Sequence, residues 1–185
     1  GVVENIWISD IDMVGIPTEA IGFNMFYTGN SPVIEEDQSA DDEARQENLM
    51  PVTEETPVFR NISMKNITVT DSEVAAFFMG LPEMKLENVS LENAVLQAKK
   101  GITAIDAAGL ELINVKVLGT DEVPLTIYNS QGVKVSGFTF EENGKAAVRV
   151  LGNSDNVEFD KADFKSAEDQ ITTGNGVSKE AIKLK

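Results

Sequence analysis

Histidine and cysteine are both absent from the 185 residues. Without histidine the chain lacks the commonest general base at neutral pH and the commonest metal ligand, so Ser-His-Asp and Cys-His machinery cannot be assembled from this chain alone. Without cysteine there is no disulfide framework and no thiol chemistry. Basic residues are few: 15 against 31 acids, a formal net charge of −16. Binding nucleic acid through its phosphates requires clustered lysine and arginine, and an anionic membrane makes the same demand, so neither is an expected partner. No apolar run reaches the length of a bilayer. The opening GVVENIWISD carries neither the basic start nor the apolar block of a secretory leader.

What is present is ordinary in amount. Apolar side chains make up 42 %, and the length suits one domain with a real core, residues 1–185. The pattern is less ordinary. Residues 59–70 read FRNISMKNITVT, an alternation that predicts strand, yet asparagine interrupts it at Asn61 and Asn66. The same figure recurs. Asn5-Ile6-Trp7-Ile8-Ser9-Asp10 matches Asn61 to Asn66, then Asn88-Val89-Ser90-Leu91-Glu92-Asn93. Asn114-Val115-Lys116-Val117 with Gly119, Gly137-Phe138-Thr139-Phe140 and Lys161-Ala162-Asp163-Phe164 continue the series. Anchors at 5, 61, 88, 114, 137 and 161 give a period of roughly 23 to 28 residues, in the range of solenoids.

A strand-turn-strand repeat explains the asparagines. A tight corner needs positive φ, which glycine takes freely and which asparagine and aspartate tolerate best among the rest. The first corner reads Asn, Asn, Asn, Asn, Gly down the copies, and the second reads Asp10, Asn66, Asn93, Gly119. Stacked copies would let the amides hydrogen-bond from one to the next. Positions one and three after each anchor are apolar, Ile6 and Ile8 through Phe138 and Phe140, and residues of the same parity share one strand face. These features predict an all-β fold: a right-handed, single-stranded parallel β-helix of about six rungs. A β-sandwich is the alternative, but it has no need for the same left-handed column in every strand pair. The chain starts on Val2-Val3-Glu4-Asn5-Ile6, directly inside a repeat. That start is expected to mean either that upstream rungs are missing, so that the helix is truncated at its N-terminal end, or that the open end is covered by another copy.

Residues 29–56 break the pattern. They hold nine acids, Glu35, Glu36, Asp37, Asp41, Asp42, Glu43, Glu47, Glu54 and Glu55, against one base, Arg45. A solvated insertion between rungs accounts for them better than a lid or a calcium loop, which would need spaced acids around a turn glycine. The sequons at Asn61, Asn66 and Asn88 are explained by the corner ladder before glycosylation need be invoked. Acid pairs such as Asp41-Asp42 and Glu141-Glu142 are the chance outcome of many acids. Trp7, the single tryptophan, falls on an outward position, where it could stack on a sugar or on a neighbouring chain. No cofactor and no metal site is indicated.

GVVENIWISDIDM, AIGFNMFYTG, PVTEETPVFRNISMKNITV and GLPEMKLENVSLENA together resemble glycoside hydrolase family 28, the polygalacturonase-like right-handed parallel β-helices. The likeness covers residues 1–120 best. It implies inverting hydrolysis of pectin-type polysaccharide by three aspartates in Asn-x-Asp and Asp-Asp motifs, with Gly-His-Gly and Arg-x-Lys. All of these lie upstream of the stretch matching Val2-Val3-Glu4-Asn5-Ile6, so no catalytic residue carries over. A groove-lining tyrosine of the family would fall on Tyr27; a surface turn tyrosine is the competing reading. The resemblance implies the C-terminal portion of a periplasmic or extracellular hydrolase, inactive alone, with a plant polysaccharide as the partner of the parent enzyme. The alternative is a stand-alone truncated β-helix, structural, self-associating through its first rung or weakly glycan-binding. Pectin is a polyanion whose binding needs local positive charge, and this chain is strongly acidic; the cationic groups are therefore expected in the upstream part that is missing, or the substrate is a less charged glycan.

Overall fold

A computed structural model describes residues 1–26, 49–160, 163–174 and 176–185. Tyr27 and most of the acidic insertion lie outside them. The described residues form twelve strands in chain order. The long ones are β1 (Val2–Asn24), β2 (Val58–Met79) and β3 (Leu86–Ile105). Next come β4 (Ala107–Ala108), β5 (Glu111–Leu118), β6 (Leu125–Tyr128), β7 (Lys134–Ser136) and β8 (Thr139–Phe140). The last four are β9 (Val148–Leu151), β10 (Val157–Phe159), β11 (Ile171–Thr173) and β12 (Ile182–Leu184). These strands stack parallel on one another, from β1 on β2 and β2 on β3 to β9 on β11 and β10 on β12. The result is a curled, solenoid-like parallel sheet, consistent with a parallel β-helix.

The long strands are bent at single left-handed residues. In β2 these are Asn61, Asn66 and Asp71, with φ of 56°, 56° and 57°. The bends explain how the core pattern survives the corners. Ile62 and Met64 are buried, then Ile67 and Val69, so the usual step of two becomes three across Asn66. β3 repeats this with Val89 and Leu91, then Ala94 and Leu96, across Asn93. A left-handed residue turns the chain while keeping the same set of side chains inward. The interior they fill is one continuous cluster from Ile21 to Phe164. Phe23 stacks on Phe78 and Phe138 on Phe140, with ring centroids 5.8 and 6.0 Å apart.

Three strand columns make up the faces of the stack. Column A runs through Ile6–Ser9, Ile62–Lys65, Val89–Glu92, β5's first residues, β7, β10 and β12. Column B begins after the next corner, through Ile11, Ile67, Ala94, Val115 and Thr139. Column C runs through Ile21–Asn24, Ala76–Met79, Ile102–Ile105, β6, β9 and β11.

The amides stack as the sequence predicts. Asn88 Nδ2 donates to Asn61 Oδ1 at 3.2 Å, and Asn61 Nδ2 to Asn5 Oδ1 at 3.4 Å. At the next corner Asn114 donates to Asn93 (3.1 Å), Asn93 to Asn66 (3.4 Å) and Asn66 to Asp10 (2.8 Å). These bonds also correct the expected repeat register. Asn114 does not continue the Asn88 corner; it stacks on Asn93, and Val115 pairs with Ala94. The residue over Asn88 is Gly109, where a Cβ would lie 2.9 Å from Asn88 Oδ1. Gly137 sits over Asn114, where a Cβ would come within 2.3 Å of the amide oxygen. Gly119 belongs to a third corner, beside Gln97 and Ala98. The step from Asn93 to Asn114 is therefore 21 residues. Both corners carry asparagine followed by apolar-x-apolar and lie five residues apart, so the motif alone cannot tell one from the other. Of the faint last copy, Lys161 and Ala162 lie outside the described residues, while Phe164 is buried and meets Phe159 edge-on.

On the outer face of column A, charges of opposite sign face one another between coils. Lys134 Nζ lies 2.9 Å from Glu111, and Lys185 Nζ 2.6 Å from Glu158. The Lys185 hydrogen bond holds Glu158 below the ordinary glutamate value of 4.5, as Lys99 does for Glu73. Hydrogen bonds from Ser9 and Asn66 hold Asp10 below its ordinary 3.8. Burial shifts Asp163 the other way, upward.

The corners and the intercoil charges can each be tested. Asn93→Gly keeps the corner conformation and loses only the amide stack, whereas Asn93→Ala also strains it. Urea unfolding should find the alanine variant less stable than the glycine variant by roughly 1 kcal/mol; equal stabilities would show that the left-handed corner costs alanine nothing. For pH, depressed carboxylates contribute stability that is complete above their unfolded values and lost as pH falls through the folded ones. Thermal midpoints should therefore hold down to about pH 5 and fall steadily below pH 4.5. A flat profile there would show that these intercoil pairs contribute no stability.

Candidate functional site

Column C builds a concave surface from described residues. Along each strand, side chains alternate between core and exterior. Ala76, Ile102, Leu125 and Val148 point inward and are buried. The residue after each therefore points outward, and the parallel register aligns these residues: Phe77 with Thr103, Thr103 with Thr126, Thr126 with Arg149, Arg149 with Thr172. This row floors a groove of about 840 Å³. Beside it, Met79, Ile105 and Tyr128 form a second fully buried cluster, packed with Phe26, Phe77 and Leu151. The floor is thus apolar at one margin and hydroxyl-bearing along its middle.

One rim is locked by close approach and by a single amide. Ile102 N donates to Pro124 O at 2.8 Å, which presses the 121–124 loop onto β3. Gly101 permits this: a Cβ there would lie 2.3 Å from Pro124 O and 2.7 Å from Val123 O. Asn143, on the following loop, reaches back across. Its Nδ2 donates to Thr120 O (2.9 Å) and Glu122 O (2.7 Å), and its Oδ1 accepts from Lys145 N (3.0 Å).

The charge balance of the groove differs from that of the chain. Lys100, Lys145 and Arg149 line it, with Glu122 as the one carboxylate among the described lining residues. Acids outnumber bases two to one in the whole sequence; among the described lining residues bases outnumber acids three to one. An apolar ring, hydroxyls and cations along an open groove suit an extended, anionic, hydroxyl-rich ligand. Inverting hydrolysis needs two carboxylates flanking the bond, with room for a water between them and the sugar. The described lining residues contribute one carboxylate, Glu122, to the groove.

Of the positions singled out from sequence, Tyr27, the expected groove tyrosine, lies outside the described residues, as do Asp41 and Asp42. Glu141 and Glu142 do not act together: Glu141 accepts from Gly119 N at 3.1 Å, and Glu142 pairs with Lys165 at 2.5 Å. Trp7 faces outward and is 77 % exposed. No group of metal-ligating side chains occurs among the described residues, and no helix among them is long and apolar enough to cross a membrane. One further polar feature escaped sequence reasoning. Half-buried Lys85 donates to Asn129 O at 2.8 Å, and burial lowers its pKa, with nearby Asp106 acting to raise it. The bond ties the 81–85 loop to a coil two layers on.

Comparison with protein-family models, with curated proteins and with solved structures gives no match in any of the three.

The rim makes a direct test. Gly101→Ala should force the 121–124 loop away from β3, at a cost of about 1–3 kcal/mol in urea unfolding. Backbone amides of that loop should exchange faster. Unchanged stability together with unchanged exchange would show that the close approach is not structural.

Proposed function

We propose that this chain is a polysaccharide-binding portion of a right-handed parallel β-helix of the polygalacturonase-like type, without hydrolytic activity of its own. The observation that carries this reading is the reversal of charge in the column C groove: Lys100, Lys145 and Arg149 gathered in a chain of net charge −16. A protein that repels anions over most of its surface concentrates cations where its open groove also offers a phenyl face and a row of threonines. Phe77 would stack on a sugar ring, the threonine hydroxyls would meet sugar hydroxyls, and Lys100 and Lys145 would pair with uronate carboxylates. The family's acidic substrate and this acidic chain are reconciled locally. The right-handed sense is supported by the general handedness of parallel crossover connections. A periplasmic or extracellular setting follows from the substrate, because such polymers lie outside the cell. Among the described residues that line the groove, Glu122 is the one carboxylate.

The test is binding of polygalacturonate against a neutral glucan, by calorimetry at low and high salt. Polygalacturonate should bind and weaken with salt. Lys100→Ala with Lys145→Ala should weaken it at least about tenfold, roughly 1.4 kcal/mol. Equal affinity for the neutral polymer, or indifference to the double substitution, would sink the reading. New reducing ends released by the chain alone would overturn the statement that it is not hydrolytic.

A further inference from the structure

Asn143 is followed by Gly144, the sequence in which an asparagine side chain is most readily attacked by the next backbone nitrogen. Three features of the fold bear on that reaction. Gly144 has φ of +80°, and apart from its chain neighbours no atom lies within 4 Å of where its Cβ would be, so nothing else packs against the loop at this point. Lys145 N–H donates to Asn143 Oδ1 at 3.0 Å, onto the carbonyl that would be attacked. A donor placed there stabilises the oxyanion of the tetrahedral intermediate. The amide nitrogen, meanwhile, ties this loop to the carbonyls of both Thr120 and Glu122.

We propose that Asn143 is a self-modification site whose conversion unfastens the groove rim. The Gly144 nitrogen bonds to Asn143 Cγ. The Cγ–Nδ2 bond breaks, and ammonia leaves, carrying the proton lost by the Gly144 nitrogen. The product is a five-membered succinimide, which water opens at either carbonyl to give aspartate or isoaspartate. The consequence is read from the partners. Two N–H donors are lost, and a carboxylate is left facing the carbonyl oxygens of Thr120 and Glu122. Acceptor then faces acceptor, and both carbonyls lose the donor that tied this loop to them. The new charge also joins Glu122, Glu141 and Glu142, reducing the cationic excess of the groove. The effect on ligand affinity rests on the groove's binding anionic polysaccharide. The amide loss does not, because it is read by mass.

The experiment ages the folded chain at mildly alkaline pH, beside the same chain held in denaturant, and maps amide loss and isoaspartate by peptide mass spectrometry. The folded chain should lose the Asn143 amide at least as fast as the unfolded one, and Asn143→Gln should abolish the loss at that position. Slower loss in the folded chain would overturn the proposal, showing that the rim bonds protect the amide. Asn143→Asp, made directly, should speed hydrogen exchange of the 120–124 backbone amides. Exchange unchanged from the parent would overturn the claim that conversion unfastens the rim.

Discussion

The left-handed corner is the constraint on which the rest depends. A parallel sheet can curl into a stack of coils only if the chain turns sharply without losing its place in the ladder. At each corner one residue takes positive φ, and its side chain must either be absent or be useful. Asparagine makes it useful. Its amide donates to the coil below and accepts from the coil above, so Asn114, Asn93 and Asn66 form one chain of bonds ending on Asp10. The carboxylate is a fitting terminus, because it can only accept. Its pKa is lowered by the hydrogen bond from Ser9 first and by that from Asn66 next.

The corners in turn fix the groove. Each sets the phase of the strand after it, and so decides which side chains face out. Phe77, Thr103, Thr126 and Arg149 lie in one row because the coils before them were closed at equivalent points, with Asp106 and Asn129 at the next corner in positive φ. Groove and scaffold are therefore not separable here. A substitution that slips one corner would turn the groove's cations inward and its aliphatic residues out.

Much of this could be read from the sequence, and one part was misread for a definite reason. Asn61 and Asn66 announced their conformation because nothing else excuses asparagine twice in a strand. Ile62, Met64, Val89 and Leu91 announced the core by alternation. The assignment of Asn114 failed because two neighbouring corners share one local signature, and only pairing between coils distinguishes them. The tight step onto Gly109, where Asp106-Ala107-Ala108 replaces a longer loop, shortened the period without leaving a mark in the motif. The groove was not legible at all. Lys100, Lys145 and Arg149 are ordinary surface residues one by one, and their meeting depends on the register that the sequence left ambiguous.

The unequal length of the paired segments has a mechanical consequence. β1, β2 and β3 are held together almost around their full circumference, whereas the coils beyond β5 are joined through segments of two to four residues separated by turns. In a structure where each layer touches only its neighbours, stability is distributed layer by layer. The coils nearest β11 and β12 are then the first to peel under load or heat, and β2 and β3 the last. The groove straddles this gradient, with Phe77 and Thr103 on the firm layers and Arg149 and Thr172 on the loose ones. A ligand lying along it would act as a splint, lending the rigidity of one end of the stack to the other.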